Sequence, residues 1–248
     1  MSIDTTCQQL REMRFARMAE QLSSRLSNGD HTDLSHEQFI ALLVEDEYLA
    51  RRRKRMERMI HRAGFKPEQP AIEDIIYSGD RGLTKKDIMR FSIPQWINDA
   101  HNIILTGPTG CGKSFVAQAI AQQACRMGYP ARCIRYSLLC EEINAARGTG
   151  QYLKFLKQMQ KAKVLVIDDF VMQQVGVQEL SALMDIIEEK QQTGSIIITT
   201  QYPIAKWHHR MPDPTIADAI CDRLVASAYT FNMKGETMRR SKQKSHAK

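Results

Sequence analysis

From His101 onward, short apolar runs alternate with longer amphipathic stretches. The runs at 103–106, 131–136, 164–168, 195–200 and 228–232 have strand length, and most are dense in Val, Ile and Leu. Between them, 113–127, 138–146, 151–160, 177–192 and 215–226 are expected to be helices. Strands that are apolar throughout, rather than at every second position, suit burial on both faces. The pattern therefore predicts an α/β fold: a parallel five-stranded sheet flanked by helices.

Residues 10–62 carry no strand signal. Phe15, Met18, Ala19, Leu22 and Leu26 recur at helical spacing, Asn28-Gly29-Asp30 breaks the run, and Phe39, Ile40, Leu42, Leu43 and Leu49 resume it. The expected organisation is a helical N-terminal domain over 1–66 and a connector over 67–100. An α/β core over 101–233 and a basic tail over 234–248 follow. The connector is rich in Pro and Gly and should hold short helices. In it, Thr84 and Asp87 have capping-box spacing.

The 248 residues, 43% hydrophobic and 25% charged, suffice for one α/β core and a small appended domain. No apolar run reaches the roughly 18 residues that span a bilayer, so no membrane association is expected. The start, MSIDTTCQQLREMRF, lacks the apolar stretch of a secretory signal. The six cysteines are scattered without metal-ligand spacing, as in a cytoplasmic protein with reduced thiols. The net charge of +7 is unevenly spread: residues 30–50 are acidic, 51–66 strongly basic, and the tail basic again. Such blocks suggest an anionic partner.

Gly107-Pro108-Thr109-Gly110-Cys111-Gly112-Lys113-Ser114 satisfies the P-loop pattern GxxxxGK[ST], directly after one predicted strand and before a helix that continues with Phe115. The glycines allow successive N–H groups to turn inward on phosphates, and the helix N-terminus adds its partial positive charge. Lys113 is expected on the β- and γ-phosphates of ATP, and Ser114 on Mg²⁺. Asp168, ending the strand 164–168, is expected to hold Mg²⁺, with Asp169 as general base for the attacking water. Thr200 or Gln201, ending the strand 195–200, could reach the γ-phosphate or that water.

The acidic strand, the later strand with a polar end and the arginine in Asp222-Arg223-Leu224 together resemble the AAA+ ATPases. More narrowly, the chain resembles the IstB family, ATP-binding helpers of insertion-sequence transposition, which are similar to helicase loaders of the DnaC type. The resemblance rests on GPTGCGKS (107–114), VLVIDDF (164–170), TTQYPIAKWH (199–208), DPTIADAICDRLV (213–225) and KGETMRR (234–240), and it covers nearly the whole chain. It implies that Thr200 and Gln201 lie on the sensor strand, with Gln201 where many relatives have Asn. Arg223 then matches the arginine finger, which acts on a neighbouring subunit, and Arg239 the second sensor. Two departures stand out. The acidic pair is Asp168-Asp169 rather than Asp-Glu, and Val171 occupies a place where Gly is common. About sixteen residues follow the last strand, too few for a full C-terminal lid.

At 100° per residue, Arg51, Lys54, Arg55, Arg58 and Arg62 share one helix face, a row suited to pairing with phosphates of duplex DNA. No aromatic residues interleave to stack single strands. The resulting expectation is an ATPase using ATP and Mg²⁺ that forms a homo-oligomer on duplex DNA in the ATP state. It would hand that DNA to the transposase of the same insertion sequence, with hydrolysis resetting the assembly. The competing readings are a helicase loader of the DnaC type, a P-loop small-molecule kinase and a non-hydrolysing, nucleotide-gated binding module.

Overall fold

The computed structural model describes residues 2–30, 32–66, 70–77 and 81–235. The chain divides into two compact units, Met1–Arg58 and Met59–Lys248.

The first unit holds α1 (Ile3–Glu12), α2 (Ala16–Asn28) and most of α3 (His36–Arg62). The helical reading of this region needs one correction. Besides the break at Gly29, whose φ of 76° ends α2, the chain turns a second corner between α1 and α2. There Arg14 adopts a φ of 66°. Periodicity cannot reveal that corner, because Met13 and Phe15 continue the apolar pattern across it.

The corner is held by α3. Phe15 occupies the N-cap of α2 and has no side chain able to accept from the free amides. Glu47 of α3 supplies the acceptor: its Oε2 takes the Met18 N–H at 3.0 Å, and its Oε1 takes Arg51 Nε at 2.6 Å. Arg51 Nη2 in turn donates to the Arg14 carbonyl at 2.6 Å, and its guanidinium lies 4.6 Å from the Phe15 ring centroid. Burial opposes ionisation of Glu47, but the Arg51 and Met18 hydrogen bonds outweigh it and hold the carboxyl below its ordinary range. Apart from this pair the core of the unit is thin, built on Cys7, Ala19 and Leu43.

In the second unit, short helices α4 (Lys85–Met89) and α5 (Gln95–Asn98) precede the alternating region. Thr84 and Asp87 form the expected capping box on α4, at 3.2 Å and 2.9 Å. The sheet comprises β1 (Asn102–Thr106), β2 (Ala131–Arg135), β3 (Val164–Asp168), β4 (Ser195–Thr200) and β5 (Ala228–Asn232). All pairs are parallel, in the order β2-β3-β4-β1-β5. The helices are α6 (Lys113–Arg126), α7 (Tyr136–Gly148), α8 (Tyr152–Lys161), α9 (Val177–Thr193) and α10 (Pro214–Val225).

Alternate strand residues serve two cores. Ile103, Leu105, Val164, Val166 and Ile197 face α6 together with Ile88, Phe91 and Trp96 from the segment before β1. Ile104, Leu165, Ile167, Ile196 and Ile198 face α7 to α10. The central strands β1, β3 and β4 are buried along their whole length, which is why they read as unbroken apolar runs. No helix among the described residues is long and apolar enough to cross a membrane.

Because Glu47 caps α2 and orders Arg51 at once, Glu47→Ala should destabilise the N-terminal unit by about 2 kcal/mol. The lowered carboxyl adds stability above its unfolded pKa, and that contribution is lost as pH falls through the folded value. Amide exchange of α2 across an acid titration checks both; unchanged protection in the variant would refute the capping role.

Candidate functional site

The carboxyl ends of β1, β4 and β3 lie side by side, and a cleft of about 580 Å³ opens beside them, within the range of cofactor sites. Thr109, Gly110, Gly112, Lys113, Ser114 and Phe115 line it, with Asp168, Asp169 and Gln201 opposite.

The loop from Gly107 to Ser114 is shaped by glycine. Gly107, Gly110 and Gly112 have φ values of 144°, 87° and 95°. A β-carbon on Gly107 would lie 2.1 Å from the Met233 carbonyl oxygen, so no other residue fits there. Gly112 starts α6 without a side-chain cap, leaving the first-turn amides at the cleft for an anionic ligand. Lys113 is buried, and its Nζ donates to the Gly107 and Pro108 carbonyls, each at 2.8 Å. Cys111 is fully buried behind the loop, packed as a small apolar side chain.

Asp168 is the centre of the polar network. One carboxylate oxygen, Oδ1, accepts from Ser114 Oγ at 2.6 Å and from Thr199 Oγ1 at 2.5 Å. Asp169 turns away with a φ of 57°, its N–H donating to Thr199 Oγ1 at 3.1 Å. Burial raises the Asp169 pKa, the neighbouring Asp168 charge raises it further, and Lys113, Lys66 and Arg135 oppose the rise. The result is a half-buried carboxyl that is a stronger base than a surface aspartate.

Other sequence-predicted residues fall differently. Thr200 is buried, and its hydroxyl is committed to backbone, donating to the Phe170 carbonyl at 2.9 Å and accepting from the Tyr202 N–H at 3.2 Å. The β4 hydroxyl that bonds Asp168 is that of Thr199, not of Thr200. Gln201 does line the cleft. Arg223, on α10, pairs with Glu188 at 2.8 Å and does not line the cleft. Arg239 lies outside the described residues. Arg51 is taken up by Glu47, Arg14 and Phe15, which removes it from the expected DNA row. Lys54, Arg55, Arg58 and Arg62 are exposed.

Arg81 carried no signal in the sequence, where it sits among the prolines and glycines of the connector. It is buried at the cleft, with Nη2 donating to the Cys111 carbonyl at 2.6 Å and Nη1 to the Ile76 carbonyl. Since a trans peptide sets C=O and N–H in opposite directions, fixing Cys111 O fixes the direction of the Gly112 N–H. Arg81 itself is held in place where its carbonyl accepts from Lys234 N–H at 3.0 Å, just beyond β5.

A family model described as IstB-like ATP binding protein matches residues 8–247. The chain belongs to that family. It is 34% identical over 235 residues to the insertion sequence ATP-binding protein y4uH of Sinorhizobium fredii, covering 94% of each chain. To y4pL of the same organism it is 32% identical over 239 residues, covering 96% of this chain and 97% of the other. Among solved structures it is similar to DnaI, with a TM-score of 0.59, 17% identity, and coverage of 68% of this chain and 95% of that one. It is similar also to the DnaC helicase loader, with a TM-score of 0.56, 18% identity, and coverage of 66% and 96%. At these identities the likeness is one of fold, and that fold is the AAA+ core.

Arg81→Ala should leave this IstB-like chain folded and weaken ATP binding about tenfold, because the Gly112 amide at the cleft loses its fixed orientation. Titration with a fluorescent ATP analogue alongside thermal unfolding measures this; unchanged affinity would show that the loop needs no such support.

Proposed function

We propose that the protein is an ATP-hydrolysing helper of insertion-sequence transposition that assembles on duplex DNA with ATP bound and lets go after hydrolysis. The observation that supports this is the gathering of Lys113, Ser114, Asp168, Asp169 and Gln201 on one cleft, in a chain of the IstB-like family.

The residues divide the work by their chemistry. The charged phosphate oxygens are better acceptors for the Lys113 ammonium than the two neutral carbonyls it now meets. The first-turn amides of α6 add partial positive charge to the same phosphates. Ser114 Oγ and Asp168 Oδ1, 2.6 Å apart, are hard oxygen donors of the kind that suits Mg²⁺. They would hold that ion, which supplies charge neutralisation across the β- and γ-phosphates when bound. Asp169 takes the proton of the attacking water, and the Gln201 amide orients that water or the γ-phosphate. Arg223 does not line its own subunit's cleft, so it would serve a neighbour, leaving Glu188 to meet charge that develops in the transition state. Hydrolysis therefore requires assembly.

Assembly also explains how a short basic row can hold DNA. Lys54, Arg55, Arg58 and Arg62 make a few salt-sensitive phosphate contacts per subunit, and an oligomer multiplies them. Loss of the bridging nucleotide would dissolve the array and release the duplex for a transposase.

Lys113→Ala should abolish ATP binding, whereas Asp169→Asn and Arg223→Ala should bind ATP and fail to turn over. A mixture of the last two should recover turnover, since each subunit supplies what its neighbour lacks. Absence of recovery would refute action of Arg223 on a neighbouring subunit, and normal turnover in Arg223→Ala would place it outside catalysis.

Reversing Arg55 and Arg58 to Glu should weaken ATP-dependent duplex binding and lower the slope of log affinity against log salt by about 2. Fluorescence anisotropy with duplex and single-stranded DNA, in ADP and in ATP, reads this. Unchanged duplex affinity would sink the basic-face assignment, and preference for single strands would favour a helicase loader.

A further inference from the structure

We propose that Arg210 is a positioning residue for hydrolysis: it clamps the strained turn after β3 and thereby fixes where Asp169 presents its carboxylate. The inference rests on the reading of Asp169 as the base.

Two residues of this turn lie in the left-handed region, Asp169 at a φ of 57° and Val171 at 52°. A β-branched residue is disfavoured there, because both of its γ-carbons crowd the backbone. Such conformations persist only where the surroundings over-determine them. Here the restraints can be named. The turn is closed by Met172 N–H to the Asp169 carbonyl at 3.3 Å. Its first half is sewn to β4: Asp169 N–H to Thr199 Oγ1 at 3.1 Å, Phe170 N–H to the Thr199 carbonyl at 2.8 Å, and Thr200 Oγ1 to the Phe170 carbonyl at 2.9 Å. The Phe170 ring is buried edge-on against Tyr136 and Trp207, at centroid distances of 5.2 Å and 4.9 Å.

The second half is gripped by Arg210. Its Nε donates to the Val171 carbonyl at 2.7 Å and its Nη2 to the Met172 carbonyl at 3.3 Å. The guanidinium plane rests over the Tyr202 ring, 4.1 Å from the centroid, so the fork is oriented before it grips. Two N–H groups in fixed geometry hold two successive carbonyls, which a lysine ammonium cannot do with the same direction. Without that fork, Val171 is free to relax to negative φ, the closing bond to the Asp169 carbonyl opens, and Asp169 loses its own left-handed restraint.

The test uses the full-length protein and two readouts: amide exchange within the turn, and ATP turnover under conditions where the wild type hydrolyses. Arg210→Ala should speed exchange of the Met172 amide and lower kcat about tenfold with ATP affinity unchanged. Arg210→Lys should recover little. Adding Val171→Gly to Arg210→Ala should restore part of kcat, because glycine holds a positive φ without strain. Turnover is read well below the thermal transition of every variant, so that a general loss of stability does not lower it. Unchanged exchange in Arg210→Ala overturns the clamp. Faster exchange with unchanged kcat overturns its catalytic consequence, as does a kcat loss matched by an equal loss of ATP affinity. Asp169→Asn is measured alongside: normal turnover there defeats the base assignment, while the exchange result still decides the clamp.

Discussion

One oxygen atom organises the site. Asp168 Oδ1 accepts hydroxyls from Ser114, at the start of the helix after β1, and from Thr199, near the end of β4, while Asp168 itself ends β3. A buried carboxylate without such donors would be costly, and with them it fastens three neighbouring strand ends into one unit. The strand order makes this possible. β4 lies between the P-loop strand and the acidic strand, so Thr199 near its end meets Asp168 and Gln201 just beyond it lines the cleft. Gly107, packed against Met233 just beyond β5, and Arg81, held by Lys234, brace the same loop from the other side. Elements far apart in the chain thus converge on about eight residues of backbone.

The sheet and its helices were legible because burial on two faces writes a strong signal. Ile103, Ile104 and Leu105 cannot be anything but a central strand when a P-loop follows, and the same holds for 164–168. The site was legible where the chemistry demands a residue type at a fixed spacing, as for Lys113, Ser114 and Asp168. It was less so where two equivalent residues compete. Thr199 and Thr200 are adjacent hydroxyls at a strand end, and only the pleat decides which faces Asp168. Arg81 was invisible for another reason: its partners are backbone carbonyls, which leave no pattern in side chains. The corner at Arg14 was hidden because the apolar repeat runs through it.

The basic stretch shows how a helical projection overstates a surface. Arg51 shares a face with Lys54, Arg55 and Arg58, yet it bonds the Arg14 carbonyl and Glu47 and lies over Phe15. Its charge is spent on joining α1, α2 and α3, and Arg53 is likewise paired with Glu57. Under the proposed function phosphate binding would fall to a shorter row, which makes multiplication by assembly more necessary to it.

The acidic pair departs from the Asp-Glu pattern of related ATPases, and the backbone offers a reason. At a φ of 57°, Asp169 sits where aspartate and asparagine are tolerated far better than longer side chains, because a short polar group can bond locally. The shorter acid and the left-handed turn are then two sides of one choice. A glutamate would reach one methylene further but would disfavour the turn that aims it. Val171 has no such compensation: nothing in its side chain favours a φ of 52°. Its strain must be borne by the bonds around it, the Arg210 fork and the β4 hydroxyls among them, and in the proposed reading those bonds set where Asp169 points.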